Sequence, residues 1–236
     1  MLPHYKTRRS SLHGVRHYLV EGYELPSVTS ILSATEPAEN VERLRAWQQR
    51  TPDHEQIRNE ASARGSRLHK RLEDHLMGQR QLTLLEAVTA ASPADVEHER
   101  LWEALGPFVQ SIAEVALIEA PLWWIDIDNG NHYAGAVDLV ARMHGDEAWA
   151  IVDLKTSRKY RTEKTWWGKA FTQLAAYQQA AEQVYKAHGL QIGKAMVVNV
   201  DVQRFKLQLH KAEGDELETY GEIWNSRLEA FYEQRG

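Results

Sequence analysis

The chain has 236 residues, 43% of them hydrophobic, which is enough to bury a substantial core in one large domain. It has no cysteine, so disulfides, thiolate zinc sites and cysteine-held iron–sulfur clusters are excluded, and no apolar run is long enough to span a membrane. The net charge of −5 argues against a phosphate-binding protein, but six basic side chains and one acidic one lie between Lys155 and Lys169. A local basic patch of this kind is compatible with binding of nucleic acid.

The N-terminal half is predicted to be mainly helical. Residues 15–25 predict a short β-hairpin, and a helix follows whose start is marked by Ser27 or Thr29. Three further helices are predicted over residues 38–50, 55–77 and 93–112. Pro52 ends the first of these, and Ser92-Pro93 opens the last.

In the second half, the hydrophobic pattern changes from the period of a helix to that of strands. Strands are predicted over residues 114–127, 132–143, 148–155, 194–202 and 204–210. A helix is predicted over about residues 166–188, and a C-terminal helix carries apolar residues at helical spacing, namely Leu217, Tyr220, Trp224, Leu228 and Phe231. This order predicts an α/β fold with a central mixed β-sheet flanked by helices.

The first three strands predicted in the second half each carry one acid on a face expected to be buried, namely Glu119, Asp138 and Asp153. The apolar residues in phase with these acids are, in turn, Val115, Leu117, Trp123 and Ile125; Ala134, Ala136 and Val140; and Trp149 and Ile151. A buried unpaired carboxylate is costly, and any one of them could pair with an arginine instead. Three such acids on neighbouring strands favour a shared divalent cation, since Mg²⁺ prefers oxygen ligands.

Asp153 and Lys155 form a D-x-K pattern within "AWAIVDLKTS", residues 148–157. Two residues apart on a strand, they point the same way. An isolated pair of this kind is usually a salt bridge at a strand end. The other interpretation is half of a metal-dependent nuclease site, in which the ammonium orients or activates a metal-bound water and offsets charge at the phosphate. The acids on the neighbouring strands favour this second interpretation.

"GAVDLVA" and "WAIVDLKTS" resemble the D…(D/E)-x-K core of the PD-(D/E)XK nuclease superfamily, although Val137 stands where the superfamily's name has a proline. "RGSRLHKRLE", with Gly65 and His69, is similar to the G-x-x-x-H helix of RecB-type nucleases. "FTQLAAY", with Gln173 and Tyr177, is similar to their Q-x-x-x-Y motif. "LPSVTSIL" followed by "RLRAWQQR" resembles the opening segment of the mitochondrial genome maintenance exonuclease subgroup. The motifs stand in the same order over residues 23–180.

The resemblance implies a restriction-endonuclease-like core in one domain over residues 1–236. Residues 1–112 would form a mainly helical portion where DNA enters, and residues 113–236 the catalytic sheet with its flanking helices. The implied catalytic residues are Lys155, Asp153, Asp138, Glu119 and His69. The implied metal ligands are Asp138, Asp153, Glu119, His69 and the carbonyl of Leu154. The implied DNA-binding residues are Gln173, Tyr177, Thr156, Ser157, Ser27, Thr29, Arg158, Lys159 and Trp166.

For several of these residues, a purely structural role stays open. His69 could be a histidine at the boundary of an amphipathic helix. Tyr177 continues a line of core positions, namely Ala170, Leu174 and Ala181. Trp166 is as well explained by packing of a loop on the core as by stacking on a base.

The resemblance further implies a DNA exonuclease that uses Mg²⁺ or Mn²⁺, acts on single-stranded DNA or flaps in replication, repair or recombination, and leaves a 3′-hydroxyl and a 5′-phosphate. Two alternatives stay open: a structure-specific or restriction-like endonuclease, and a non-catalytic single-strand-binding recombination accessory on the same fold. Because the motifs begin within the first thirty residues, we expect a location in the cytoplasm of a bacterial or phage-infected cell. A mitochondrial location, suggested by the basic and acid-free first twenty residues, is the less favoured expectation.

Overall fold

The computed structural model describes residues 1–12, 15–78, 92–158, 160–162 and 164–235, and these ranges contain two β-sheets. The smaller sheet is antiparallel and has the strands β1 (Arg8–Leu12), β2 (Val15–Val20) and β3 (Tyr23–Pro26). The larger sheet has, in spatial order, the strands β4 (Ile112–Ile125), β5 (His132–Met143), β6 (Trp149–Ser157), β7 (Ile192–Asp201) and β8 (Lys206–Glu213). Only the β6–β7 pair is parallel among these, so the predicted mixed sheet is confirmed.

The helices in these ranges are α1 (Val28–Ala34), α2 (Ala38–Arg50), α3 (His54–Leu76), α4 (Pro93–Ser111), α5 (Lys164–Val184) and α6 (Asp215–Glu233). Local chemistry explains where several begin. Ser27 caps α1, and Ser92 and Asp95 form a reciprocal capping box at α4, with Pro93 at the first helical position. None of the helices in the described ranges combines the length and hydrophobicity that a membrane crossing needs.

The helix after β6 ends earlier than predicted. Residues 186–188 tighten into a 3₁₀ turn after α5 ends at Val184, and Gly189 follows with a φ of 66°. A glycine accepts this left-handed conformation without the steric cost that a side chain imposes. The remaining predicted helices and strands are present within a few residues of their expected ends.

Helices cover both faces of the larger sheet and create two cores. On one face, Tyr133 and Ile151 of the sheet pack against α5 and α6 through Leu174 and Trp224. On the other face, sheet residues pack against side chains of α3 and α4, namely Leu68, Leu72, Leu101, Leu105 and Phe108. The structure is therefore an α/β fold with a helical N-terminal region, as predicted.

Two regions of the N-terminal part lie against the β4–β5 hairpin. The smaller sheet packs on β5 through Tyr18 and Leu25, which contact Ala134. Before β1, the amide of Leu2 donates to the carbonyl of Ala116 in β4 (2.9 Å), and His4 Nε2 donates to the carbonyl of Glu119 (3.3 Å). Neither β1 nor this N-terminal segment was predicted.

Two irregularities in the pairing of the larger sheet bear on the acids predicted from the sequence. β5 and β6 pair only over Leu139–Ala141 and Ala150–Val152, although β6 goes on pairing with β7 as far as Ser157. The two strands therefore separate at Asp138 and Asp153. In β4, the register shifts between Val115 and Leu117.

The irregularity of β4 overturns one prediction. Val115 packs on the α3 side of the sheet and Leu117 on the α5 side, so they do not share a face. Glu119 has a φ of 44°, in the left-handed region, and its side chain hydrogen-bonds His69 of α3. The expectation that Glu119 is in phase with Leu117 was wrong, because a strict two-residue alternation holds only for a regularly paired strand.

Candidate active site

The candidate site lies where β5 and β6 separate, and a side chain replaces the missing strand partner there. The Oδ2 atom of Asp138 accepts a hydrogen bond from the backbone amide of Leu154 (2.7 Å). That amide is no longer bonded to β5, since the last pair of the ladder is Leu139 with Val152. Asp138 is thereby fixed close to the D-x-K segment of β6.

His69 reaches the same point from α3. Its Nε2 donates to the carbonyl of Leu154 (2.9 Å), and its Nδ1 lies 3.0 Å from Oε1 of Glu119 and 3.6 Å from Oδ1 of Asp138. Burial by itself would lower the pKa of His69. The two carboxylates and the Leu154 carbonyl outweigh burial and raise this pKa to about 9. Without a cation, the imidazole is therefore protonated at neutral pH and donates from both nitrogens.

Asp153 lies on the α5 side, as its phase with Ile151 predicted. It is 2% exposed, and its Oδ1 accepts from Nζ of Lys155 (2.7 Å) and from Nε2 of Gln173 in α5 (3.4 Å). Its Oδ2 is buried and has no hydrogen-bond partner in the described part of the chain. A buried carboxylate oxygen without a partner is costly, so this atom needs a further positive or polar group.

The charges at the site are strongly coupled. Burial raises the pKa of Asp138 to about 7, and the negative charges of Asp153 and Glu119 add to this effect against His69 and Lys155. Burial alone would lower the pKa of Lys155, but Asp153 and Asp138 raise it above its usual value. Lys155 is thus an ammonium ion, whereas burial and the neighbouring carboxylates disfavour the charged form of Asp138.

These residues fit a divalent cation. Ligand atoms of His69, Glu119 and Asp138 all lie within 4.8 Å of one another. Asp153, whose Oδ2 has no partner in the described part of the chain, is close enough for its charge to act on Asp138. Carboxylate and carbonyl oxygens suit hard cations such as Mg²⁺ and Mn²⁺. The carbonyl of Leu154 already accepts from His69, so a cation at that carbonyl would compete with the imidazole.

Three predicted DNA contacts face inward instead. Ser27 is buried and caps α1, Ser157 is buried and accepts from Nδ2 of Asn199 (2.9 Å), and Tyr177 is 5% exposed. Burial raises the pKa of Tyr177, so its hydroxyl stays neutral. In this structure the three side chains support the site from within, and direct contact with a DNA strand is not open to them.

Four of the other predicted DNA contacts line open cavities. Thr156 lines a cavity of about 550 Å³ at the site together with His69, Glu119 and Lys155. Gln173 and Trp166 line a second cavity of about 590 Å³, which also includes Lys155. Thr29 lines a third, of about 820 Å³, which shares Arg9 with the first. Arg158 is half-exposed and lies 3.7 Å from Glu60 of α3; Lys159 lies outside the described residues.

Gly135 is a supporting residue that sequence reasoning missed. A Cβ atom at this position would lie 2.4 Å from Cε1 of Tyr177, so only glycine lets the tyrosine ring cross β5. The glycine stands three residues before Asp138, in "GAVD", and this spacing was the available signal.

A family model of the PD-(D/E)XK nuclease superfamily matches residues 35–234, which include α3, the three acidic strands and α5. This chain belongs to the PD-(D/E)XK nuclease superfamily. Members of this superfamily are metal-dependent nucleases. The superfamily match does not distinguish the RecB-type subgroup within it.

The comparison with curated proteins gives no match. Among solved structures, the nuclease is similar to a protein described as SSO0001, with 16% sequence identity and a TM-score of 0.34. The match covers 59% of this chain and 61% of that protein. The chain thus spans less than two thirds of the length of that solved relative.

Proposed function

We propose that this nuclease is an RecB-type DNA exonuclease, related to the mitochondrial genome maintenance exonuclease subgroup, that degrades single-stranded DNA or flaps during replication, repair or recombination. The observation that carries the proposal is the convergence of His69, Glu119, Asp138, Asp153 and Lys155 at the separation of β5 and β6, beside an open cavity. Gln173 beside Asp153 and Tyr177 against Gly135 support the RecB-type assignment.

Asp138, Asp153, Glu119 and His69, with the Leu154 carbonyl, would hold Mg²⁺ or Mn²⁺. When bound, the cation supplies a polarised phosphate and an activated water for in-line attack. Lys155 is charged, is held on Asp153 at 2.7 Å and faces the cavity, so it stabilises negative charge on the phosphate oxygens. The products would be a 3′-hydroxyl and a 5′-phosphate.

A single strand suits the shape and charge of the region. Lys155 joins the cavity at the site to the cavity at Trp166, and Arg9 joins it to the cavity at Thr29. Cations are therefore placed where neighbouring cavities meet, as binding of a phosphate backbone requires. We further propose that the chain acts as one domain in the cytoplasm of a bacterial or phage-infected cell.

The test compares end-labelled linear single-stranded DNA with circular single-stranded DNA of the same sequence, in Mg²⁺ and in Mn²⁺. We expect release of nucleotides or short fragments from the linear strand and resistance of the circle. Cleavage of the circle would establish the endonuclease alternative. Failure to degrade linear DNA with either metal would favour the non-catalytic strand-binding accessory.

Asp153→Asn tests the site assignment, because it removes the carboxylate charge but keeps the shape of the side chain. Asp128→Asn, in the turn between β4 and β5, is the matched control. We expect the first variant to lose cleavage and the second to keep it, with both melting near the wild-type temperature. Wild-type cleavage by Asp153→Asn would refute the assignment of the site.

A further inference from the structure

A second cavity adjoins the candidate site and shares Lys155 with it. It has a volume of about 590 Å³, and its lining includes Lys155, Arg161, Trp166, Lys169, Gln173 and Glu36. Lys155 also lines the cavity that contains His69 and Glu119, so the two cavities meet at this ammonium group. A DNA strand with one phosphate at the metal site would extend past Lys155 into this space.

Arg161 brings a further cation to the cavity. Its guanidinium carbon lies 5.3 Å from the centre of the Trp166 ring, and its buried Nε has no hydrogen-bond partner in the described part of the chain. No carboxylate within the described ranges forms an ion pair with it. A guanidinium with free donors and one face on an indole is a suitable group for binding a phosphate.

The backbone of Arg161 is fixed by buried amide side chains. Gln208 of β8 accepts from the amide of Arg161 and donates to its carbonyl, both at 2.9 Å. Asn199 of β7 donates to Gln208 (2.9 Å) and to the hydroxyl of Ser157 (2.9 Å). Ser157 stands two residues after Lys155, so this buried network sets the position of Arg161 relative to the catalytic strand.

Trp166 is also held in a defined orientation. It packs edge-on against Trp167, with ring centres 4.5 Å apart, and Trp167 stacks on His210 at 3.5 Å. Trp166 remains partly exposed and lines the cavity. A fixed, partly exposed indole ring offers a face on which a base of any sequence can stack.

Lys169, the next cation of the cavity, is already neutralised. Its Nζ lies 2.7 Å from Oε2 of Glu36, and Arg227 lies 3.5 Å from the same carboxylate. Burial would raise the pKa of Glu36, but Lys169 and Arg227 lower it overall, so the carboxylate is charged. Arg43 also lines the cavity, but its guanidinium hydrogen-bonds Asn40 (2.6 Å) and lies 3.7 Å from Glu39. Arg161 is therefore the lining arginine that has no carboxylate partner in the described ranges, and we take it as the cation that meets a phosphate next to Lys155.

We propose that this cavity is a subsite for the nucleotide next to the scissile phosphate, with Trp166 stacking on its base and Arg161 binding its phosphate. Gln208 and Asn199 are positioning residues for Arg161. The subsite rests on the proposed function in requiring a DNA strand at the site, and it gives that function a recognition element that does not depend on base sequence.

The first experiment is single-turnover cleavage of linear single-stranded DNA that carries one abasic nucleotide, or one neutral methylphosphonate linkage, at successive positions. The length of the product identifies the linkage that is cut and so fixes the register. With wild-type protein, we expect one abasic position next to the cut to raise the concentration needed for half-saturation by about 5- to 100-fold, as loss of one stacked base does. The maximal rate should change little.

Trp166→Ala should raise the concentration needed for half-saturation on intact DNA by a similar factor. In this variant, an abasic nucleotide at the sensitive position next to the cut should have no further effect. Arg161→Ala should remove sensitivity to one methylphosphonate in the same way. Trp166→Phe keeps an aromatic face and should behave like wild type. Arg235→Ala, which removes another arginine stacked on an aromatic ring (3.8 Å from the centre of Phe231), is the matched control. If each variant and its DNA lesion act additively, the subsite is wrong while the nuclease function stands.

The second experiment measures binding without cleavage, by fluorescence anisotropy of a labelled ten-nucleotide strand in EDTA at several salt concentrations. Arg161→Ala should lower the slope of log affinity against log salt by about 0.7, as expected for one phosphate contact on a single strand. Gln208→Ala should reduce the slope in the same direction if it is folded by its melting temperature. An unchanged slope in Arg161→Ala overturns the subsite even if wild-type protein cleaves no DNA, so the two proposals fail separately.

Discussion

Gly135→Ala is predicted to disturb the site through Tyr177, although alanine is compatible with the backbone there. The added Cβ would lie 2.4 Å from Cε1 and 3.0 Å from Cζ and the hydroxyl oxygen of Tyr177. Atoms in folded proteins do not approach this closely, so either the ring or β5 must move. Tyr177 is 5% exposed and packed within the α5-side core, which leaves the ring little room.

Overpacking of this kind typically costs about 1–3 kcal/mol. In a chain of this length, each kcal/mol lowers the melting temperature by about 2–4 °C, so we expect Gly135→Ala to melt about 2–12 °C below wild type. Cleavage should fall as well. Gly135 lies three residues before Asp138, and Tyr177 lies one helical turn after Gln173, which hydrogen-bonds Asp153.

The assay is a double-mutant cycle followed by thermal denaturation and linear-strand cleavage. Tyr177→Leu removes the ring, so Gly135→Ala should cost less in that background, with a coupling of about 0.5–3 kcal/mol. Tyr177→Phe is the control, since it keeps the ring carbon that clashes and should give no relief. Additive effects of Gly135→Ala and Tyr177→Leu, or a wild-type melting temperature for Gly135→Ala, would refute the steric argument.

The other predictions concern the metal site, the lysine and pH. His4→Ala removes the hydrogen bond to the Glu119 carbonyl, which typically contributes about 0.5–1.5 kcal/mol. If that free energy holds Glu119 in place, its loss should weaken Mn²⁺ binding by about 2- to 12-fold in a calorimetric titration. Lys155→Met should lower the cleavage rate by about 100- to 1,000-fold, because it removes a preorganised positive charge, while half-saturation by DNA changes much less. Burial lowers the pKa of His210 from 6.5, so the unfolded state binds a proton at this histidine more readily than the folded state does. The free energy of unfolding should therefore decrease as the pH drops below about 6.5, and His210→Gln should remove this part of the decrease.

Each of these has an outcome that contradicts it. Mn²⁺ affinity equal to wild type in His4→Ala would mean that the N-terminal segment does not position Glu119. A wild-type rate in Lys155→Met would exclude the lysine from catalysis. Parallel pH profiles of melting temperature for wild type and His210→Gln would show that the histidine stacked on Trp167 does not contribute.

The sequence predicted the parts of the site that depend on local pattern. Asp153 and Lys155 could be placed on one side of β6 because alternation holds along a strand that pairs regularly with β7. The helices were predictable from apolar periodicity and from caps such as Ser27 and Ser92. The resemblance to the G-x-x-x-H helix implied that His69 lies near the acids, and in the structure it contacts Glu119 and the Leu154 carbonyl.

What the sequence did not predict depends on contacts between distant residues. The shifted register of β4 and the left-handed Glu119 have no local signature, so alternation gave the wrong neighbours for that acid. A hydroxyl side chain in a motif is the same in sequence whether it faces a ligand or the interior, and both Ser27 and Ser157 face the interior. The two hydrogen bonds between the Gln208 side chain and the Arg161 backbone join residues 47 positions apart, which no local pattern indicates.

The incomplete pairing of β5 with β6 explains why the site forms at this point in the sheet. A regular ladder would satisfy the amide and carbonyl of Leu154 with β5 backbone atoms. Because pairing stops at Val152, both groups are open, and an unpaired buried backbone group is costly. Asp138 accepts a hydrogen bond from the Leu154 amide, and His69 donates one to the Leu154 carbonyl. The contacts that satisfy the backbone therefore also bring a carboxylate and an imidazole together. The backbone is thus satisfied at the expense of concentrated negative charge, and that charge is what favours a divalent cation.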